Sequence, residues 1–530
     1  MNRVDSGGAG DMTRLDWLEP PLSAARRVAE RAATPGEALL FARPVYEARA
    51  ASVQGGVVSV GSQALRLVIR TASMMVLARL LTAEDFGLQG MVMVMTGFLG
   101  LFRDAGLSAV TVQRDDVSHD QVSTLFWINV TVGIVLAAAL ALAAPGVAAF
   151  YRDARLTPIC VVSACAFVIH GFSIQHYALL QRQMRFVTLG VLEIFAVAVA
   201  AAVGVGMALL GYGYWALVAM AVVAPLVTAI GCWASMPWMP GAPRRTRGMR
   251  SMLSMGCTLT LDSVVVYLGG NAEKILLGRY WGAEALGVYG RAYQLISLPA
   301  DLLTSGVATV ALPLLARLQT DPERLQRTFL KGYSVVVALT IPTTVSCALF
   351  ADDIVEIMLG PRWNQAVPVF RLMVPSILAL ALINPLAWLL ISSGRARRSL
   401  NIAFLITPLS ITAAAIGLQF GPKGVAVAMS TTMTLLTVPV ILWARAGTTM
   451  TGCDVWNALR GPLVAGAVAA VVGFGASITL ATMSTVLHVM FGAALIYAVY
   501  FLVLFIPLKQ AALYRELARE VGRPRHERRS

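Results

Sequence analysis

Two arginines one helical turn apart, Arg66 and Arg70, stand in an apolar stretch that also carries Ser59, Ser62 and Ser73. Spacings of three and four place these side chains along one stripe of an α-helix. Arg70 lies about 20 Å along such a helix, at 1.5 Å per residue. Snorkelling does not easily free a charge from that depth. Other apolar stretches are interrupted by Arg103 and Asp104, Glu193, Asp262, Glu273 and Lys274, Arg291, Asp301 and Arg371. A charge at the centre of a membrane helix costs about 2.5–3.5 kcal/mol on insertion scales, so it lines a hydrated cavity, finds a partner or reaches an interface. Arg66, Arg70, Arg291, Asp262 and Asp301 fit a cavity. Arg103 and Asp104 fit a structural charge network as well as a ligand site, and Glu273 and Lys274 fit an interface. A chamber holding more guanidinium than carboxylate suits an anionic ligand, because low dielectric strengthens its attraction to phosphate. Asp262 and Asp301 are the candidates for binding a coupling Na⁺ or H⁺.

That chemistry presupposes a membrane, and composition supplies it. Of 530 residues, 57% are hydrophobic and 13% charged, with a mean hydropathy of +0.72. Soluble domains carry about 25% charged residues. A water-soluble globule is excluded, and so is a disordered chain. The six cysteines form no CxxC pair and the five histidines show no metal-ligand spacing. A phosphate loop, a dinucleotide fingerprint and a nucleophile elbow are all missing. The expectation is no metal, no cofactor and no enzymatic reaction. The net charge of +14 accompanies no nucleic-acid-binding motif and fits the loops of a membrane protein.

Apolar runs long enough to span a bilayer fall near 57–79, 86–112, 122–144, 157–181, 187–210 and 213–236. They resume near 251–277, 286–315, 331–350, 366–391, 400–419 and 424–444, and end with 459–482 and 485–507. With the N-terminus in the cytoplasm, thirty of the 42 Lys and Arg fall in inward segments and six in outward loops. That asymmetry places both termini in the cytoplasm.

Residues 75–91 (MVLARLLTAEDFGLQGM) and 275–291 (ILLGRYWGAEALGVYGR) share Leu, Arg, Ala, Glu, Gly and Gly at an offset of 200. WALVAM (215–220) echoes GVAVAM (424–429), and the turn around LLQRQMRF (179–186) matches that around LISSGRARR (390–398) in position. Six helices are thus followed by six more in the same orientation, a duplicated transporter architecture with substrate held between the halves. The expected fold is an all-α polytopic membrane protein of about 14 transmembrane helices, with two six-helix lobes in pseudo-twofold symmetry and a C-terminal helix pair. Its expected divisions are a cytoplasmic extension (1–54, without the apolar core of a signal peptide), the N-lobe (55–236), a basic linker (237–250), the C-lobe (251–445), the extra pair (457–507) and a basic cytoplasmic tail (508–530).

The runs LARLLTAEDFGL (77–88), FRDAGLSAVTVQR (102–114) and LGRYWGAEALGVYGRAYQL (277–295), with LQRQMRF (180–186) and GRARRS (394–399), resemble the polysaccharide and O-antigen flippases. These belong to the multidrug, oligosaccharidyl-lipid and polysaccharide exporter superfamily. The resemblance covers about 55–510, and its motifs are short and mostly structural. It implies two lobes that rock between inward-open and outward-open states. It also implies an undecaprenyl-pyrophosphate-linked oligosaccharide as substrate, moved across the bacterial inner membrane for lipopolysaccharide or exopolysaccharide synthesis. By resemblance, Arg66, Arg70, Arg103 and Arg291 would receive pyrophosphate and sugar in a cationic cavity. The implied partners are that lipid-linked glycan, membrane lipids, a polysaccharide polymerase and a chain-length regulator, with no nucleic acid. The extension before residue 55 departs from the pattern. Three other readings stay open: a cation-coupled multidrug antiporter on the same fold, a polytopic polysaccharide polymerase or ligase, and a peptidoglycan-precursor flippase. The outward segment near 350–366 is short for a polymerase's extracytoplasmic domain.

Overall fold

The computed structural model describes residues 48–104, 117–244, 267–319, 321–448 and 450–506, with 108, 111, 112, 114 and 264 besides. Every regular element among them is helical. The first half comprises α1 (Ala48–Leu80), α2 (Ala83–Gly100), α3 (His119–Tyr151), α4 (Leu156–Arg182), α5 (Phe186–Leu209) and α6 (Trp215–Ser235). Then come α7 (Ala272–Arg317), α8 (Pro322–Leu349), the short α9 (Ala351–Leu359), α10 (Ala366–Ser392), α11 (Ala396–Gly417) and α12 (Gly421–Arg445). The chain continues with α13 (Gly452–Thr479) and α14 (Thr485–Phe505). Among the described residues, nine helical stretches are long and apolar enough to cross a membrane, and one of these, Arg397–Arg445, runs through α11 and α12. The protein is a multi-pass membrane protein. Large apolar side chains such as Leu142, Leu210, Leu435 and Val471 cover its exterior, as expected where the solvent is acyl chain.

Local chemistry sets the helix starts. Thr82 with Asp85, Ser118 with Gln121 and Thr451 with Asp454 form capping boxes, each satisfying orphan N–H groups at a turn. Three boundaries differ from the hydropathy reading. The first helix already runs from Ala48, inside the expected extension. The second ends at Gly100 rather than continuing to 112. Beyond it the Asp104 carboxylate accepts the Ser108 N–H at 2.9 Å and also the Ser108 hydroxyl, a side-chain alternative to the continuous helix. Third, the arms of α7 are separated by Gly282 alone, at φ 81° and ψ −174°, a conformation that glycine tolerates. The chain reverses there: the Lys274 ammonium lies 4.8 Å from the centre of the Tyr293 ring, although 19 residues separate them. Most of the span expected at 251–277 lies outside the described residues.

Helices of the first half pack mainly on one another, with α3 on α4, α5 on α6, α1 on α5 and α4 on α6. In the second half α7 packs on α10, α10 on α12 and α11 on α12, while α13 and α14 lean on α8. The halves meet where α2 crosses α7. This contact explains the repeat. A Cβ added to Gly87 would lie 1.7 Å from the Ala283 carbonyl oxygen, and one added to Gly287 would lie 1.7 Å from that of Ala83. The two repeat segments are therefore each other's partners across a pseudo-twofold axis, with each glycine on the other segment's alanine as in an isologous interface, and small residues four apart allow the backbones to touch. Arg79 and Arg279 also reach across: Arg79 donates to the Ile357 carbonyl at 2.8 Å, and the Arg279 guanidinium lies 5.6 Å from the Phe150 ring centre. Trp363 adds an indole bond to the Ala78 carbonyl at 2.8 Å.

Three apolar cores result. The largest spans both halves at this end, from Leu77, Leu88 and Met91 through Tyr151 to Leu277, Tyr289, Val355 and Phe370. At the opposite end the cores are separate, one around Phe126, Leu179 and Trp238 and the other around Phe329, Tyr333, Leu389 and Tyr500. Among the described residues, the halves thus share one core at one end and have separate cores at the other.

Candidate functional site

At the divided end, basic side chains cap helix C-termini in both halves. Arg185 donates to the Ser235 carbonyl at 2.8 Å, while Arg395 and Arg398 bond the Gly447 and Ala446 carbonyls. Cations at helix C-termini compensate the dipole and the orphan carbonyls, which gives the matched LQRQMRF and GRARRS turns their physical role. Arg182 likewise bonds the Thr111 and Arg114 carbonyls, at 2.9 and 2.6 Å. Behind α6, the first residues of the linker are pinned to α3. Trp127 donates to the Gly241 carbonyl at 2.9 Å, and Ser123 accepts the Gly241 N–H at 3.0 Å.

Between α1, α7, α10, α11 and α12 lies a cavity of about 900 Å³, near the upper end of the range for ligand sites. Its polar lining is Arg70 and Thr71 from α1, Gln294 and Ser297 from α7, Asn384 and Trp388 from α10, and Ser399 from α11. The remaining walls are aliphatic, among them Ile383, Ile402 and Ile406. Arg70 is the one charged side chain lining it among the described residues, and no carboxylate joins it there. The Arg70 guanidinium makes no ion pair among the described residues.

The other sequence-derived arginines are placed differently. Arg66, one turn before Arg70, turns to the first half and pairs with Glu193 of α5 at 2.6 Å. The second oxygen of Glu193 accepts the Tyr177 hydroxyl at 2.7 Å. Arg291, one turn from Gln294, stacks 4.5 Å from the Phe86 ring centre, and its Nε has no hydrogen-bond partner. Arg103 lies just past the end of α2, close to His170 of α4, with its Nε equally unpartnered. The structure thus puts Arg70 on the cavity, pairs Arg66 internally, sets Arg291 against Phe86 near the start of α2, and leaves Arg103 beyond the other end of α2 beside Asp104 and His170. Asp262 and the Asp301 side chain lie outside the described residues. Glu273 is 2% exposed, with Oε2 unpartnered, so it is buried rather than interfacial. Arg371 bonds Asp352 near the closed end.

Sequence reasoning missed Asn384 and Trp388. Their signal is an amide and an indole four residues apart around Pro385 in an otherwise apolar run. It also missed α9, whose DDIVEIML pattern starts with acids in its first turn, as a helix N-terminus favours.

The profile of the family described as "Polysaccharide biosynthesis protein" matches residues 76–368, more than half of the chain. The chain belongs to this family. Among its relatives, a lipopolysaccharide biosynthesis protein of Escherichia coli (strain K12) is 28% identical over 374 residues, covering 69% of this chain and 74% of the relative. A teichuronic acid biosynthesis protein of Bacillus subtilis (strain 168) is 28% identical over 342 residues, covering 62% and 68%. In fold, this polysaccharide biosynthesis family member resembles a lipid II flippase in an inward closed conformation. The TM-score is 0.68 at 12% identity, over 88% of this chain and all of that one. A multidrug resistance transporter in an inward-facing conformation follows at a TM-score of 0.58 and 11% identity, over 73% and 97%. These two likenesses establish the fold alone.

Proposed function

We propose that this protein is a flippase that carries an undecaprenyl-pyrophosphate-linked oligosaccharide from the cytoplasmic to the periplasmic leaflet of the bacterial inner membrane. The observation that carries this reading is the cavity between the halves, lined among the described residues by Arg70 and neutral polar groups, with no carboxylate. An exposed guanidinium that makes no ion pair among the described residues is free to hold a phosphate ligand through two parallel bonds. The distribution of Lys and Arg puts the divided end in the cytoplasm, so this state would be open inward and closed outward. The glycan head would enter the hydrated cavity while the polyprenyl tail stays in lipid. Separation of the halves at the α2–α7 crossing, with closure at the other end, would then present the head to the periplasm.

No bond is made or broken in this reading, so the protein acts as a transporter and not as an enzyme. An inside-negative potential helps an anionic head outward by about 2.3 kcal/mol per charge per 100 mV. Coupling to Na⁺ or H⁺ through Asp262 or Asp301 belongs to the same proposal, as does delivery to a polysaccharide polymerase and chain-length regulator. A cavity for cationic drugs would need carboxylates, and none lines this one among the described residues.

Deletion of the gene tests the proposal. Lipid-linked repeat units are expected to accumulate with their glycans facing the cytoplasm, and surface polysaccharide to disappear, with resistance to cationic dyes unchanged. Intact surface polysaccharide with lost dye resistance would favour the antiporter. Loss of viability with accumulated peptidoglycan precursor would point to that substrate instead.

A further inference from the structure

Resting on the transport reading above, we infer that the face of α10 bearing Asn384 and Trp388 is a carbohydrate subsite. There the Trp388 indole stacks on a sugar ring, and Asn384 bonds its hydroxyls. Arg70 holds the phosphate from α1.

Asn384 and Trp388 are four residues apart, so both project from one side of α10, and both line the cavity. Trp388 is half-buried and packs against the core of the second half. The Tyr333 hydroxyl donates to the Leu382 carbonyl at 2.9 Å, fixing the adjoining turn of α10. A ring held this way is positioned before the ligand arrives, which lowers the ordering cost of binding. Its hydrogen bonding differs from that of five other tryptophans, and among the four described tryptophans whose N–H finds no protein acceptor (Trp215, Trp388, Trp443 and Trp456) it is the one that lines the cavity. Trp127, Trp233, Trp238, Trp281 and Trp363 each give their indole N–H to a protein acceptor, at 2.7–3.2 Å. Trp388 gives its N–H to none among the described residues, and the amides of Asn384 and Gln294 are likewise without partners. Asn384 is exposed and Trp388 and Gln294 are half-buried, so their donors and acceptors face the cavity and are open to a ligand there.

The chemistry of the two walls separates the parts of that ligand. Phosphate needs cations, and Arg70 is on α1. A purely apolar ligand would be met by aliphatic walls alone, with no use for two amides. A pyranose presents an apolar C–H face edged by hydroxyls, and therefore matches an aromatic plane flanked by an amide that donates and accepts. The α10 wall offers that combination without a charge.

Binding by the full-length protein in lipid nanodiscs tests the inference. The probes are lipid-linked oligosaccharide extracted from the deletion strain and undecaprenyl pyrophosphate without sugar. Trp388→Ala is expected to weaken the glycan-bearing probe about tenfold, or 1.4 kcal/mol, and to change the sugar-free probe less than about twofold. Trp388→Phe should retain most of the discrimination, and Arg70→Ala should weaken both probes. Asn384→Ala, read against the same two probes, replaces Trp388→Ala if that variant fails to fold. Equal weakening of both probes by the α10 variants, or no change in either, overturns the subsite. A wild-type protein that binds the two probes equally tightly also overturns it, but leaves the transport reading standing. A wild-type protein that binds neither overturns the transport reading, and the subsite with it.

Discussion

Arg66 and Arg70 look equivalent in the sequence, one turn apart on one helix, yet their environments differ. Arg66 and Glu193 form an ion pair with side chains 27% and 23% exposed, and Tyr177 completes the carboxylate. Removing one member strands the other in low dielectric, whereas removing both leaves little unsatisfied. Glu193→Gln is therefore expected to lower the thermal unfolding midpoint, and adding Arg66→Met to restore much of the loss. A double-mutant cycle should give a coupling of about 0.5–3 kcal/mol, as for charged groups in contact. Strictly additive effects would mean that the pair carries no coupling. The positions of these charges were legible in the sequence, because a charge in an apolar run stands out. Their partners were not: Glu193 is far from Arg66 along the chain, and no local pattern joins them. Trp388 was missed for the opposite reason, since an aromatic residue in an apolar helix reads as core until its unfilled N–H is seen.

At the scale of elements, hydropathy located most of the helices that the structure describes, and the repeat marked the segments that meet at the α2–α7 crossing. The repeat alone did not say why its residues recur. The coordinates show the two repeat segments touching across the axis, with Gly87 on Ala283 and Gly287 on Ala83, so each glycine permits a close backbone approach. Gly87→Ala is expected to destabilise the closed end by about 1–3 kcal/mol through overpacking. The measurement is labelling of a cysteine placed at the buried Leu286 by a membrane-impermeant thiol reagent, which should rise, with export falling in parallel. Gly290→Ala is the control, because its Cβ would meet nothing. Unchanged labelling in the Gly87 variant would remove the crossing as the closure. The short α9 and the end of α2 escaped the sequence reading because acids and a side-chain cap, rather than apolar periodicity, determine them.

For the whole molecule, the distribution of cores matters most. Among the described residues, one continuous core joins the halves at one end and two cores stay separate at the other, with the cavity between α1 and the second half. Such an arrangement can exchange which end is packed by rigid-body rocking of the halves, since packed interfaces are bistable rather than continuously deformable. Composition and charge asymmetry made the membrane, the helices and the duplication legible. The shape of the gap between the halves was not, because it depends on how helices distant in sequence pack. The central claim is that Arg70 holds the anionic head of a lipid-linked glycan during its transfer across the bilayer. The most direct test is transfer of lipid-linked oligosaccharide in proteoliposomes, followed as protection of the glycan from membrane-impermeant periodate. With equal amounts of inserted protein, transfer by wild type and a rate lower by about 10–100-fold in Arg70→Ala are expected, the loss of a charge-assisted contact. Equal rates in the two proteins, or no transfer by wild type, would contradict the account.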